Sequence, residues 1–251
     1  MRHLFDSWAT VAQRLKTARS VALFLDFDGT LARIVDHPSR AVLPAQTRRQ
    51  LERLAGRRAI RLCVISGRDY RSLRSVVGIP GVRCLGLYGW ENGNGLRLDG
   101  SARQALSSAK RDLAARIDGL SGIWIEEKRY AFAVHYRDAP KCAVRRARAG
   151  LHSVLQPYGG TLGLVRAKMA WDVLPVSIRG KGAAVLRELQ AHPADLAIYA
   201  GDDGADECAF RAIAGGISIH VGARGRSRAE FRLRDPGEVR RFLEKLENEL
   251  P

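Results

Sequence analysis

Cysteine is scarce in this 251-residue chain: Cys63, Cys84, Cys142 and Cys208, none of them in a C-x-x-C pair. Such scatter excludes a disulfide-stapled scaffold and argues against a cysteine-held metal. Three of the four lie in apolar or helical runs, where a thiol is expected to be buried. Long hydrophobic runs are also missing, and none approaches the ~20 apolar residues that cross a bilayer. The first residues carry Asp6 and no apolar stretch followed by a small-residue cleavage site, so a cytoplasmic protein without a membrane partner is expected. Internal repeats and low-complexity tracts are absent. Acidic residues are few: 26 Asp and Glu stand against 42 Lys and Arg, a formal charge of +16.

That charge raises nucleic-acid binding as one reading, since phosphate contacts dominate such affinity. The arginines, however, are spread along the chain, and the densest groups, Arg145-Arg146-Ala147-Arg148 and 224–234, are modest. Most read as solvated helix faces, so no nucleic-acid partner is expected. The positive field also suits encounter with a small anionic substrate. With 46% hydrophobic residues the chain is an ordinary globular one, large enough for one domain or two.

The most informative stretch is Asp26-Phe27-Asp28-Gly29-Thr30-Leu31, directly after the apolar run Val21–Leu25. An apolar run ending abruptly in two carboxylates reads as a buried strand presenting acids at its C-terminal edge, where open α/β sheets place ligands. Residues two apart on extended chain share a side, so Asp26 and Asp28 can face one site. Paired carboxylates repel unless a cation or shared proton separates them. A hard ion such as Mg²⁺ does this and leaves one carboxylate free to attack. Taken alone, Asp-Gly also suits a turn.

Further apolar runs end the same way. Ile60–Ile65 runs into Ser66-Gly67-Arg68, 84–88 into Gly89-Trp90-Glu91-Asn92-Gly93, 196–200 into Gly201-Asp202-Asp203, and Ile217–Val221 into Gly222. Helical patterns at Ala45–Ala55 and 181–190 lie between them, and the first 20 residues also look helical. Strands alternating with helices predict an α/β fold with a Rossmann-like parallel sheet covered on both faces. The middle third differs. Residues 123–137 read as two strands around a charged turn, 142–155 as a basic amphipathic helix, and 161–165 and 169–174 as two more strands. This predicts a catalytic core over 1–99 and 174–251, interrupted by an α+β cap over 100–173.

Each strand end of the core supplies a group suited to phosphate or metal. Ser66 and Gly67 offer a hydroxyl and an amide at a strand-to-helix turn. Lys181, between Gly180 and Gly182 at a helix start, offers a point charge. Asp202 and Asp203, with Asp206 and Glu207 beyond, form an acidic loop suited to Mg²⁺. Each item alone fits a turn, a cap or a solvated residue; their ordered joint occurrence does not.

Asp-x-Asp-Gly-Thr-Leu, Ile-Ser-Gly-Arg, Lys-Gly and Gly-Asp-Asp-x-x-Asp-Glu together resemble the haloacid dehalogenase superfamily of phosphohydrolases. The position of the insertion, Glu126-Glu127-Lys128, His135-Tyr136-Arg137, Lys168 with Asp172, and the stretch 201–210 are similar to the trehalose-6-phosphate phosphatase family. The resemblance covers about 21–221. It implies an Mg²⁺-dependent hydrolase of trehalose biosynthesis that splits trehalose 6-phosphate into trehalose and phosphate. Asp26 would be the nucleophile and Asp28 the general acid and base. Mg²⁺ would be held by Asp26, the backbone carbonyl of Asp28, and Asp202, with Asp203 and Asp206 in support. Ser66, Gly67 and Lys181 would bind the phosphoryl group, and Glu126, Lys128, Arg137, Lys168 and Asp172 of the cap would bind sugar hydroxyls. A glucosyl- or mannosyl-phosphoglycerate, a phosphomutase reaction, or a basic binding module on a silent scaffold are the alternative readings. The oligomeric state is left open, with a monomer as the default.

The chain departs from the family pattern near substrate selection. Trp90-Glu91-Asn92-Gly93 stands where a His-Gly pair is usual, Asp172 replaces a glutamate, Leu174 an arginine, and Ala205 a threonine.

Overall fold

A computed structural model describes residues 1–94, 98–223 and 225–250. In chain order the elements are β1 (Arg2–His3), α1 (Trp8–Thr17), β2 (Val21–Leu25), α2 (Ala45–Ala55), β3 (Ile60–Ile65), α3 (Tyr70–Val77) and β4 (Arg83–Leu85). Next come α4 (Gly100–Ile117), β5 (Trp124–Lys128), β6 (Ala131–His135), α5 (Lys141–Leu155), β7 (Leu162–Ala167) and β8 (Ala170–Pro175). The chain closes with α6 (Gly180–Ala191), β9 (Leu196–Gly201), α7 (Glu207–Ala212), β10 (Ile217–Val221), β11 (Phe231–Leu233) and α8 (Pro236–Glu249). Two compact units result, one of 1–93 with 180–251 and the other of 94–179.

The first unit holds a seven-stranded sheet in the order β1-β11-β10-β9-β2-β3-β4, every pairing parallel. Central strand β2 is buried along its whole length, as a strand covered on both faces must be. Alternation then sorts its side chains. Val21, Leu23 and Leu25 join one core with Val11, Leu51, Leu73 and Phe242 of α1, α2, α3 and α8. Ala22 and Phe24 join a second core with Ala184, Val185, Ala209 and Phe210 of α6 and α7. A Phe24→Ala cavity at this position costs about 3–5 kcal/mol. The α/β prediction holds, and the mainly parallel sheet follows from these continuous apolar runs.

Local signals fix the helix ends. Asp69 accepts from Ser72 N at 2.9 Å to start α3, which ends at Gly78 in the left-handed region. Asp235 caps α8 with Pro236 in the first turn, where a missing N–H costs nothing.

The second unit is an antiparallel sheet, β5-β6-β8-β7, packed with α4 and α5. Phe132, Val134, Trp171 and Val173 are buried on one sheet face. Register places Glu126, Ala133 and Asp172 in a row on the other face.

Three local expectations need correction. The first 20 residues are not all helical, because Arg2 and His3 pair with β11 at the sheet edge. The run 84–88 is a strand only to Leu85; Leu87 and Tyr88 turn out at positive φ as the chain bends back. Not every cysteine in a helical run is buried: Cys63 and Cys84 are, but Cys142 lies on the outer face of α5. Burial pushes the Cys63 thiol up to about 12, which keeps it protonated and unreactive. Among the described residues no helix is long and apolar enough to cross a membrane.

Candidate active site

The C-terminal ends of adjacent strands β2 and β9 converge on one acidic centre. Asp26 leaves β2 with its amide donating to Ala200 O at 2.9 Å, so the two strand ends stay in register. Ligand oxygens of Asp26, Asp202 and Asp206 lie within 4.8 Å of one another. Lys181, at the start of α6 and almost wholly buried, donates to Asp26 Oδ1 and to Asp206 Oδ1, each at 2.7 Å. Tyr199 OH also donates to Asp206 Oδ1 at 2.7 Å, and Asp203 N donates to its Oδ2 at 3.0 Å. Asp206 is therefore saturated by protein donors, and the Asp202 carboxylate packs against Gly29.

That contact explains Gly29. Its φ is +89°, and a Cβ there would sit 2.1 Å from Asp202 Oδ2. Only glycine permits both the turn and the approach.

Three buried carboxylates around one ammonium leave an excess of negative charge. Burial, opposed by the Lys181 ammonium, pushes Asp26 well above its ordinary range, and the charges of Asp206, Asp202 and Asp203 push it further. Asp203 is likewise pushed up to about 7 by burial against the pull of Lys181. Burial would also raise Asp206, but the Lys181 ammonium outweighs it and holds that carboxyl below its usual value. Burial works against the Lys181 charge, yet Asp206 and Asp26 outweigh it and lock the ammonium in place. A divalent cation relieves the remaining repulsion, and all-oxygen donors suit a hard ion. The residues present therefore fit a metal.

Asp28 faces another way. Its two carboxylate oxygens accept from Arg68 Nε and Nη2 at 2.7 Å each, and Arg68 is anchored by Pro38 O and stacked over the Phe27 ring. Ser66 is buried at the end of β3; its amide donates to Leu85 O and its hydroxyl accepts from Arg68 N at 3.2 Å. At Gly67 a Cβ would press on the Tyr88 ring at 3.0 Å, so this turn is closely packed.

In the inserted unit Lys128 donates to Asp172 at 2.8 Å, both side chains nearly buried. On the same sheet face Glu126 Oε2 lies 2.8 Å from His135 Nε2, and His135 stacks on Trp124 with centroids 4.0 Å apart. Half-buried Arg137 follows β6, and exposed Lys168 stands in the turn between β7 and β8, beside Met169 at φ 61°.

Residues 24–236 match the Trehalose-phosphatase family model. The chain belongs to the trehalose-phosphatase family. A Mycobacterium tuberculosis trehalose-phosphate phosphatase is 32% identical over 93% of this chain and 63% of its own length. An uncharacterized glycosyl hydrolase of the same species is 35% identical over 93% of this chain and 19% of its own length. The chain thus spans less than two thirds of the curated relatives it matches. Among solved structures, a trehalose-6-phosphate phosphatase related protein aligns with TM-score 0.75 and 25% identity over 90% of this chain and 97% of that one. The C-terminal domain of the Candida albicans trehalose-6-phosphate phosphatase shares the fold at TM-score 0.83 and 21% identity, over 97% and 98% of the two chains.

The contacts of four residues escaped sequence reasoning, although Arg68 and His135 stand in the motifs quoted above. Arg68 sits inside the Ser-Gly-Arg turn, but nothing in the linear pattern says its guanidinium reaches Asp28 across two strands. Tyr199 reads as an ordinary apolar strand residue until its hydroxyl meets Asp206. Trp124 and His135 become one stacked pair only through the β5–β6 register.

Proposed function

We propose that this chain hydrolyses trehalose 6-phosphate to trehalose and phosphate through an aspartyl-phosphate on Asp26. The observation that carries the reading is the buried Asp26–Lys181–Asp206 cluster beside Asp202 at two strand ends, in a chain of the trehalose-phosphatase family. Lys181 fixes Oδ1 of Asp26 and leaves the carboxylate aimed by a rigid ammonium. Asp26 attacks phosphorus, the bond from phosphorus to the sugar oxygen breaks, and Asp28 gives that oxygen a proton. Asp28 then takes a proton from water, which attacks the aspartyl-phosphate, frees phosphate and restores Asp26. Because Asp28 accepts two bonds from Arg68, the pair must open before the proton is delivered. Ser66 and the Gly67 amide bind phosphoryl oxygens, and Asp203 and Asp206 hold the acidic loop and Lys181 in place.

Asp26, the Asp28 carbonyl and Asp202 would hold Mg²⁺, which when bound supplies positive charge against the transferring phosphoryl oxygens. We assign sugar recognition to the inserted unit, which we read as the specificity cap. There Glu126, Lys128, Arg137, Lys168 and Asp172 mix donors with acceptors and so match a ligand rich in hydroxyls. The test is phosphate release from a panel of sugar phosphates, including trehalose 6-phosphate and glucosyl-phosphoglycerate, with and without Mg²⁺. Metal-dependent release strongest with trehalose 6-phosphate supports the proposal. Release from no sugar phosphate overturns it.

A further inference from the structure

The basic run Arg145-Arg146-Ala147-Arg148 is not used by the site described above, and the fold gives two of its arginines a common direction. Arg145 and Arg148 are three apart on α5 and so share a helix face. With Arg166 of β7 they line an open surface concavity of about 420 Å³ on the second unit, whose other walls are Tyr136, Val144 and Trp171, and all three arginines are exposed. Arg166 and Trp171 are register partners on adjacent strands, which places them on one sheet face. Asp172 is the next residue, so it and its partner Lys128 belong to the opposite face. The cavity is therefore separated by the thickness of the sheet from the residues assigned to the sugar.

Its chemistry is specific in two respects. Among the described residues no ion pair to a carboxylate is made by Arg145, Arg148 or Arg166, so three guanidinium groups line one concavity with their donors unspent on protein acids. Three exposed guanidinium groups around one concavity, with no acid among them, raise the local potential for an anion. Guanidinium forks match phosphate oxygens two at a time, which a point-charge ammonium does not. The second feature is the aromatic wall. Tyr136 and Trp171 pack with centroids 4.3 Å apart at 33°. Buried Trp171 fixes that pair, and half-buried Tyr136 reaches the rim. A flat ring can lie on this wall while its phosphates reach the arginines. The volume falls within the range that holds a small ligand.

We propose that this cavity binds a nucleotide-class ligand, a planar base joined to two or more phosphates, at a site separate from the phosphatase centre. A sugar phosphate uses the arginines but has no planar aromatic ring to stack on the Tyr136 wall. An extended nucleic acid would need basic groups continuing beyond one concavity.

The test is calorimetric titration of the full chain carrying Asp26→Asn, so that no probe is hydrolysed, with ATP, inorganic triphosphate, adenosine and a single-stranded oligonucleotide as separate probes. ATP is expected to bind at least tenfold tighter than triphosphate or adenosine, and trehalose 6-phosphate is expected not to displace it. Arg145→Ala with Arg148→Ala should weaken ATP at least tenfold and, in the wild-type background, leave phosphate release without ATP unchanged. Arg166→Ala on the strand gives an independent variant with the same expectation, and circular dichroism checks the fold of each. No ATP binding at millimolar concentration, retention of affinity in both variants, equal affinity for triphosphate, displacement by trehalose 6-phosphate, or preference for the oligonucleotide overturns the proposal.

Discussion

Both units bury a lysine against an aspartate, and the two settings differ in what surrounds the pair. In the core, Lys181 lies between Asp26 and Asp206 with Asp202 close by, so carboxylates outnumber the ammonium in a buried cluster. In the inserted unit, Lys128 and Asp172 stand on a sheet face that also carries Glu126, His135 and Trp124. The core cluster concentrates one sign of charge, which suits a metal and a phosphoryl group. The inserted face alternates donors, acceptors and a ring, which suits hydroxyls and the apolar flank of a sugar. On the proposed reading one lysine serves the reaction and the other selection, and mutations should separate them.

The largest effect is expected at Asp26. Asp26→Asn removes the nucleophile and should lower phosphate release by at least about 10³-fold with an unchanged circular dichroism spectrum. Near-normal turnover would break the assignment of the core cluster to chemistry. Lys181→Met should be almost as damaging and should also destabilise the fold, by roughly 3–5 kcal/mol in denaturant titration, because it strands two buried carboxylates. Lys128→Met provides the contrast: an increase in KM of about tenfold with kcat little changed, as for the loss of one charged hydrogen bond to substrate. If Lys128→Met lowers kcat as Lys181→Met does, the division between the units fails.

Metal linkage sharpens the same contrast. Saturating Mg²⁺, at about a hundred times its Kd, should stabilise the wild-type core by about 2.7 kcal/mol, a rise in Tm of roughly 5–10 °C. Asp202→Asn should abolish most of that rise, whereas Asp172→Asn should leave it intact.

The smallest effect lies outside both sites. Glu238 accepts from Arg234 N at 2.8 Å and from His3 at 2.9 Å, and these bonds outweigh its burial and hold its carboxyl below the ordinary value of 4.5. A lowered value in the folded chain means stability present above pH 4.5 and lost as pH falls through the folded value. Glu238→Gln should therefore flatten the acid side of the stability curve and leave phosphate release at pH 7 unchanged.

Much of the core was legible in sequence because its signals are local. The runs Val21–Leu25, Ile60–Ile65 and Ile217–Val221 form strands with those bounds, since each is a continuous apolar segment closed by glycine or acid. Helix Ala45–Ala55 also forms as its periodicity predicts. The two-residue strand β1 was not legible, because nothing in Arg2-His3 announces an edge that exists only when β11 arrives beside it. The turn at 87–88 was hidden for a similar reason: its positive φ values are imposed by the close fold-back, not favoured by leucine or tyrosine.

The sequence by itself determined the fold class, the order of the strand-end motifs and the carboxylates that gather there, because apolar periodicity and short-range spacing encode them directly. Tertiary structure alone decided how those groups are partnered. Asp28 faces Arg68 while Asp206 takes Lys181, Tyr199 and the amide of Asp203. It also decided which arginines of a basic run line one concavity together with Arg166. Such pairings join residues far apart in the chain, and a hydrogen bond is set by distance in space, which no local pattern records.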